Sequence, residues 1–283
     1  MTNKDLLHKL SLQFQTDGYA ILPNKVPSQL LTGVKDCIDH FVRSYQPSEG
    51  STVFRTDTRD KDRDEIFLAS AYGVHGFLEA DAFDDQNRLC VPRGQCLNKI
   101  GHAMHDLLPN FSDLARSSII KEAFTIGGHN QTHIIQSMVI FKQPKIGGVV
   151  RWHQDASYLI THPSSVIGVW IALEDATQDN GCLWMAPGMH NGPLRELYTV
   201  DWDTRKGHLS DIDSTPWPSA NESIPLEVEA GSVVVFHDHM PHRSAANSSS
   251  YSRLAVTFHG YNPQSNWADH NWLHRHNLSD FII

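Results

Sequence analysis

The spacing of apolar positions changes part-way along the chain. Over residues 4–17, Leu6, Leu7, Leu10 and Phe14 fall near the i, i+3, i+4 pattern of a helix, which Asp17-Gly18 ends. Tyr19–Leu22 reads as a strand. A second helix starts at Ser28, an N-cap residue after Pro27, with Leu30, Leu31, Val34, Ile38, Phe41 and Val42 as its apolar stripe. Residues 98–124 also read as helical, through Ile100, Met104, Leu107, Leu108, Phe111 and Leu114. Near residue 130 the period drops to two. Thr132–Phe141 is β-branched and alternating, and Val166–Leu173, Cys182–Met185, Ser232–Phe236 and Arg253–Phe258 follow as short strands. Turn signals at residues 144–148, Asn180-Gly181, Pro187-Gly188 and Ala230-Gly231 separate them.

Helices first and short strands afterwards predict a mainly β fold with α, its helices packed outside a β-sandwich or barrel. One domain over residues 1–283 is expected, with 1–130 a mostly helical flank and 131–262 the β core. Residues 190–225 show no clear period and carry Trp202, Pro216, Trp217 and Pro218. They read as a long insertion over the mouth of the barrel, placed as a lid. The mixed-charge run 55–65 reads as a solvated surface.

Composition narrows the function. Hydrophobic residues make up 40% of the 283 and charged residues 19%, so the chain can bury a sizeable core. Its net charge of −9, with no basic run, argues against nucleic acid and anionic membrane surfaces, which need clustered Lys and Arg. No apolar run approaches a bilayer span, and the first residues lack a signal-peptide core. Cys37, Cys90, Cys96 and Cys182 are scattered, as expected of reduced thiols. A cytoplasmic monomer acting on a small-molecule substrate fits these features.

The chain has 18 histidines, and imidazole is the commonest transition-metal ligand. His153-Gln154-Asp155 follows a Gly147-Gly148 turn. In an extended segment residues i and i+2 face the same side, so this imidazole and carboxylate can meet one ion. Two His and one carboxylate with open positions opposite form the facial triad of non-heme Fe(II) oxygenases. Chance alone supplies about two such tripeptides in a chain of this make-up, so the motif needs support. A second histidine can come from His237, His239 or His242, just after a strand. Arg253 opens the next strand, and a guanidinium fork there suits the far carboxylate of a 2-oxo acid.

With these residues in view, the sequence resembles the phytanoyl-CoA dioxygenase family of Fe(II)/2-oxoglutarate oxygenases over nearly its whole length. The resemblance rests on Phe14–Tyr19, Asn98–His102, Gln136–Pro144, His153–Ser157, Gly168–Ala172, Glu174–Ala176, Asn180–Trp184 and the Pro187-Gly188-Met189-His190 turn, in order. It implies a double-stranded β-helix, a jelly-roll or cupin-like core. It implies Fe(2+) on His153, Asp155 and His242, with O2 and 2-oxoglutarate as cosubstrates. It further implies Arg253 on the distal carboxylate, with Lys99, Met138 and Trp170 lining the 2-oxoglutarate pocket, and hydroxylation with release of succinate and CO2. His190 is expected to order its turn or to stand near the metal. His102 and His259 are expected to be structural, and Gln136 and Gln154 to line the pocket. The chain departs from the family at Arg151-Trp152 and through 190–225, places expected to face the substrate. The rival reading is a non-catalytic jelly-roll module that binds a metal or ligand.

Overall fold

The computed structural model describes residues 3–23, 25–47, 53–54, 65–86, 88–275 and 277–283; residues 55–64 of the mixed-charge run lie outside these. Helices α1 (Asn3–Asp17) and α2 (Ser28–Ser44) flank strand β1 (Tyr19–Leu22). They bury Leu10, Phe14, Val34 and Ile38 against the outer face of a large sheet. Gly18, between α1 and β1, has φ 80°, and a Cβ there would meet His190 and Met240 at 2.5 Å, so the turn requires glycine.

The flank is not purely helical. Strands β2 (Val53–Phe54), β3 (Val74–Glu79) and β4 (Leu97–His102) extend the large sheet, with the short helix α3 (Glu65–Ala69) between β2 and β3. The helix expected over 98–124 therefore divides. Its first residues form β4, paired with the strand at His133–Lys142 through Lys99↔Ile140 and Gly101↔Met138. Helices α4 (Met104–Leu107), α5 (Pro109–Ala115) and α6 (Ser118–Ile126) follow. Pro109, with no N–H to donate, starts α5 and prevents one continuous helix. Ile100 is buried as a sheet residue, and its spacing to Met104 mimicked a helical face.

The β core begins with β5 (His133–Lys142) and β6 (Val150–His153), then β7 (Thr161–His162), β8 (Ile167–Ala172) and β9 (Leu183–Met185). After β10 (Glu196–Asp201) and β11 (Lys206–Asp211) come β12 (Ile224–Leu226), β13 (Val233–His237), β14 (His242–Ser244) and β15 (Arg253–Tyr261). The large sheet runs β1-β13-β8-β15-β5-β4-β3-β2, and the small one β12-β9-β14-β6. From β5 to β9, and again from β12 to β15, the core strands in these two sheets alternate between large and small. That is the jelly-roll winding.

Side-chain alternation on β15 assigns the two faces. Val256 and Phe258 join the core under the helices. Ala255 belongs to the inner cluster with Trp170, Leu183 and Met185, between the sheets. Arg253, Thr257 and His259 share that inward face by period two.

The insertion at 190–225 has structure of its own. β10 and β11 pair as an antiparallel hairpin from Glu196↔Asp211 to Asp201↔Lys206. Glu196, Tyr198 and Val200 are buried and alternate along β10, and a charged residue in that row hid the period. The hairpin packs beside the core, with the Tyr198 ring 5.8 Å from that of Tyr158. Among the described residues no helix is long and apolar enough to cross a membrane.

Candidate metal centre and its cavity

His153 ends β6 and His242 begins β14, and the two are direct partners in the antiparallel register. Their rings lie 4.1 Å apart between centroids. Asp155 follows on a single 3-10 turn, Asp155–Ser157. Its Oδ1 is 3.8 Å from Nε2 of His153 and 3.8 Å from Nε2 of His242. One ligand atom from each residue lies within 4.8 Å of the others, the only such group of three among the described residues.

The other ring nitrogens are tied down. Nδ1 of His153 is 3.0 Å from the Arg151 carbonyl, and Nδ1 of His242 is 2.9 Å from the Met240 carbonyl. A carbonyl only accepts, so each Nδ1 carries the proton and each Nε2 presents a lone pair to the shared space. Burial and the adjacent His242 hold the His153 imidazole down to about 3, so it stays neutral. Burial pushes the Asp155 carboxyl up, but His259 and His242 outweigh it and hold the group well below the usual carboxylate range. Neutral imidazoles and an ionised carboxylate are the ligand forms that a divalent cation needs.

His237 and His239 stay outside this group. Their rings are 5.7 Å apart, with His237 beside His190 at 5.3 Å and Phe14 at 6.1 Å. His190 orders its own turn against α1, with Nε2 3.2 Å from the Gln15 carbonyl.

A cavity opens beside the three ligands. Lys99, Gln136, Met138 and Arg151 line it together with His153 and Asp155. Lys99 is buried, its ammonium 4.9 Å from the Phe77 ring centroid. Met138, Thr257 and Trp170 lie in one row across β5, β15 and β8. Trp170 and Arg253 are not on the cavity wall. They sit together on the same inward face, with the guanidinium carbon 5.7 Å over the indole ring. Arg253 is 2% exposed, and its Nε and Nη1 have no hydrogen-bond partner among the described residues. Burial lowers it to about 10, so it remains charged near neutral pH. Buried donors without acceptors are rare and costly, and a carboxylate is the group that would satisfy them.

Several placements differ from the sequence reading. His259 does more than fill the core: its Nε2 is 3.0 Å from Asp155 Oδ2. His102 lines the cavity while bonding Ser70 Oγ at 2.7 Å. Gln154 does not line it. Its amide donates to the carbonyls of Pro193 (3.1 Å) and His239 (2.9 Å) and accepts from the Arg195 N–H at 3.0 Å. Of the pair Arg151-Trp152, only Arg151 reaches the cavity; Trp152 lies on the other side, against Arg243. Phe67, Tyr158 and Trp272 also line it and carried no signal in sequence. His259 did carry one, since it continues the alternation that starts at Arg253.

The family model for phytanoyl-CoA dioxygenase (PhyH) matches residues 14–255. "Phytanoyl-CoA dioxygenase 1" of Oryza sativa subsp. japonica is 36% identical over 264 residues, spanning 93% of this chain and 92% of its own. "Phytanoyl-CoA dioxygenase domain-containing protein 1" of Danio rerio is 35% identical over 274 residues, 92% of each chain. Among solved structures, the non-heme alpha ketoglutarate dependent carbocyclase SnoK aligns with TM-score 0.62 at 19% identity, over 94% of this chain and 88% of that one. The epimerase SnoN in complex with Fe3+, alpha ketoglutarate and nogalamycin RO aligns with TM-score 0.62 at 14% identity, over 94% and 87%. At these identities the structural matches establish the shared fold.

Proposed function

The chain belongs to the phytanoyl-CoA dioxygenase family, and from there we propose that it is an Fe(II)- and 2-oxoglutarate-dependent dioxygenase that hydroxylates a small organic substrate. The carrying observation is the group His153, Asp155 and His242 beside a cavity, with a buried guanidinium on the same inward face whose Nε and Nη1 have no hydrogen-bond partner among the described residues. The residues fit the cofactors. Three protein ligands of facial-triad type leave positions for a chelating 2-oxo acid and O2. Bound there, Fe(II) and 2-oxoglutarate would supply the oxidising chemistry, the 2-oxo acid leaving as succinate and CO2.

The chain's own residues do the rest. His153 and His242 turn their Nε2 atoms toward the shared space because their Nδ1–H groups are held by carbonyls. Asp155 supplies one negative charge through Oδ1 while His259 holds Oδ2. Arg253 receives the distal carboxylate, and Trp170, with a buried indole N–H that has no partner among the described residues, forms a flat wall beside it. Lys99 and Met138 line the approach, one giving positive charge and the other an adaptable apolar surface. Aromatic walls exclude water and orient the substrate C–H.

The test is spectroscopic. 2-Oxoglutarate added under nitrogen to the Fe(II)-loaded protein should produce the visible charge-transfer band of the chelate, and admitting O2 should then give slow succinate. Iron bound without a band would overturn the 2-oxoglutarate assignment. A band with no succinate on exposure to O2 would favour the non-catalytic module.

A further inference from the structure

Resting on the oxygenase reading, we propose that the Thr257 hydroxyl is a further binding group for 2-oxoglutarate, donating to one of its carboxylate oxygens beside Trp170. Thr257 lies within β15, 3% exposed, and its Oγ1 has no hydrogen-bond partner among the described residues. β15 is an interior strand, with β5 on one side and β8 on the other. The backbone around Thr257 is engaged in both ladders. The hydroxyl therefore needs an acceptor that the strands do not supply. Valine has the same branched shape and the same preference for strands. Threonine instead buries a polar group, at a cost that a bound acceptor would offset.

Its neighbours share that condition. Thr257 is the direct partner of Trp170 on β8, whose indole N–H is buried without an acceptor among the described residues. The Arg253 guanidinium lies over that indole, with Nε and Nη1 in the same state. Guanidinium, indole and hydroxyl thus gather on one inward patch. A carboxylate is the group that serves several donors at once, since its two oxygens accept at about four lone-pair sites. Between Arg253 and Thr257 the inward position on β15 is Ala255, opposite Ala172 of β8. Both side chains are single methyls, so the sheet sets no bulky group between the two. Met138, the partner of Thr257 on β5, lines the cavity beside the metal ligands, so the patch adjoins that cavity.

Charged groups stand nearby. Glu174 and Cys182 favour the charged form of Arg253, and Lys142, itself close to Glu79, adds a like charge beside it. Thr257 carries no charge. It needs a hydrogen bond, and that need does not depend on how those charges balance.

Three variants separate the hydroxyl from the shape of the side chain. Thr257→Val keeps the branch and loses the hydroxyl, Thr257→Ser keeps the hydroxyl and loses a methyl, and Thr257→Ala loses both. Each is loaded with Fe(II) under nitrogen and titrated calorimetrically with 2-oxoglutarate, and each is also melted without ligands. Thr257→Val should bind 2-oxoglutarate roughly ten- to hundredfold more weakly than the parent, the range for a hydrogen bond to a charged group. Thr257→Ser should stay within about threefold, since the donor remains. Fe(II) affinity should be equal in all. Without ligands Thr257→Val should melt no lower than the parent, because it removes a hydroxyl that bonds nothing. A packing role would reverse the order and make Thr257→Ser the weaker binder. The proposal is overturned by that reversal, by parent-like 2-oxoglutarate affinity in Thr257→Val, or by a lower melting point of unliganded Thr257→Val, which would show the hydroxyl already bonded within the protein. Loss of Fe(II) affinity in Thr257→Val would overturn it too, placing the hydroxyl with the His259–Asp155 pair. If Thr257→Val fails to fold, Thr257→Ala decides: it must lose 2-oxoglutarate affinity while Thr257→Ser keeps it. A parent protein that binds Fe(II) but no 2-oxoglutarate would instead sink the oxygenase reading, and the proposal with it.

Discussion

Nε2 of His259 lies 3.0 Å from Oδ2 of Asp155, while Oδ1 of that carboxylate faces the Nε2 atoms of His153 and His242 at 3.8 Å each. One oxygen is anchored and the other is aimed. His259→Ala should therefore leave the fold intact and lower Fe(II) or Mn(II) affinity by roughly 10- to 100-fold, as loss of a ligand's outer partner does. His259→Gln, which can still donate to Oδ2, should recover part of it. Metal titration with a competing chelator measures both, and an unchanged affinity in His259→Ala would refute the anchoring role.

Arg253→Ala separates metal binding from cosubstrate binding. Iron should bind as before, since no ligand is touched. 2-Oxoglutarate affinity should fall by about 2–5 kcal/mol, the usual loss when one partner of a buried charge pair is removed. Calorimetric titration of the two ligands in turn checks this, and equal 2-oxoglutarate affinity in parent and variant would show that Arg253 serves another purpose.

Gln154 ties the metal motif to the insertion through Pro193 and Arg195, and to the β13–β14 turn through His239. Gln154→Leu would strand the His239 carbonyl and the Arg195 N–H and leave the Pro193 carbonyl only the Arg195 Nη1 contact at 3.4 Å, at a combined cost of about 3 kcal/mol. In a protein of 283 residues that corresponds to roughly 5 °C in Tm. Thermal melting followed by circular dichroism would record it, and a loss under a degree would contradict the bridging role.

Acid should destabilise the protein through His129. Burial holds this imidazole down to about 4, although the Ser165 carbonyl at 2.9 Å and the charge of Asp238 pull the other way. The unfolded chain takes up the proton near 6.5, whereas the folded one refuses it until about 4. Stability from this group is therefore complete above pH 6.5, falls between 6.5 and 4, and is level below. At pH 4.5 the loss is about 2–3 kcal/mol. Chemical denaturation at pH 7 and 4.5 should show that loss on top of the losses from other buried histidines such as His133 and His153, and His129→Gln should shrink the difference by about 2–3 kcal/mol; an unchanged difference in the variant would assign the acid effect elsewhere.

Local chemistry made much of the protein legible. The change from period 3.6 to period two marked the helical and β portions, because that period states which side chains face a core. The spacing of His153 and Asp155 put both on one side of an extended segment. Arg253 stood out at the head of a strand just after the histidine cluster, whereas His259 was expected to be structural, although counting by two from Arg253 along β15 puts it on the same inward face. Tertiary structure decided what depends on distant pairing. Leu97–His102 is a strand because β5 offers it hydrogen bonds, against a helical spacing. β10 and β11 form a hairpin around a buried glutamate whose partner, Arg151, lies on another sheet. His242 stands with the metal group, apart from His237 and His239, because the register of β14 against β6 sets it opposite His153. Trp272 reaches the cavity from a tail with no pattern to announce it. Periodicity reports a residue's own burial, whereas a site is made by contacts between segments far apart in the chain, and only the folded sheet brings those together.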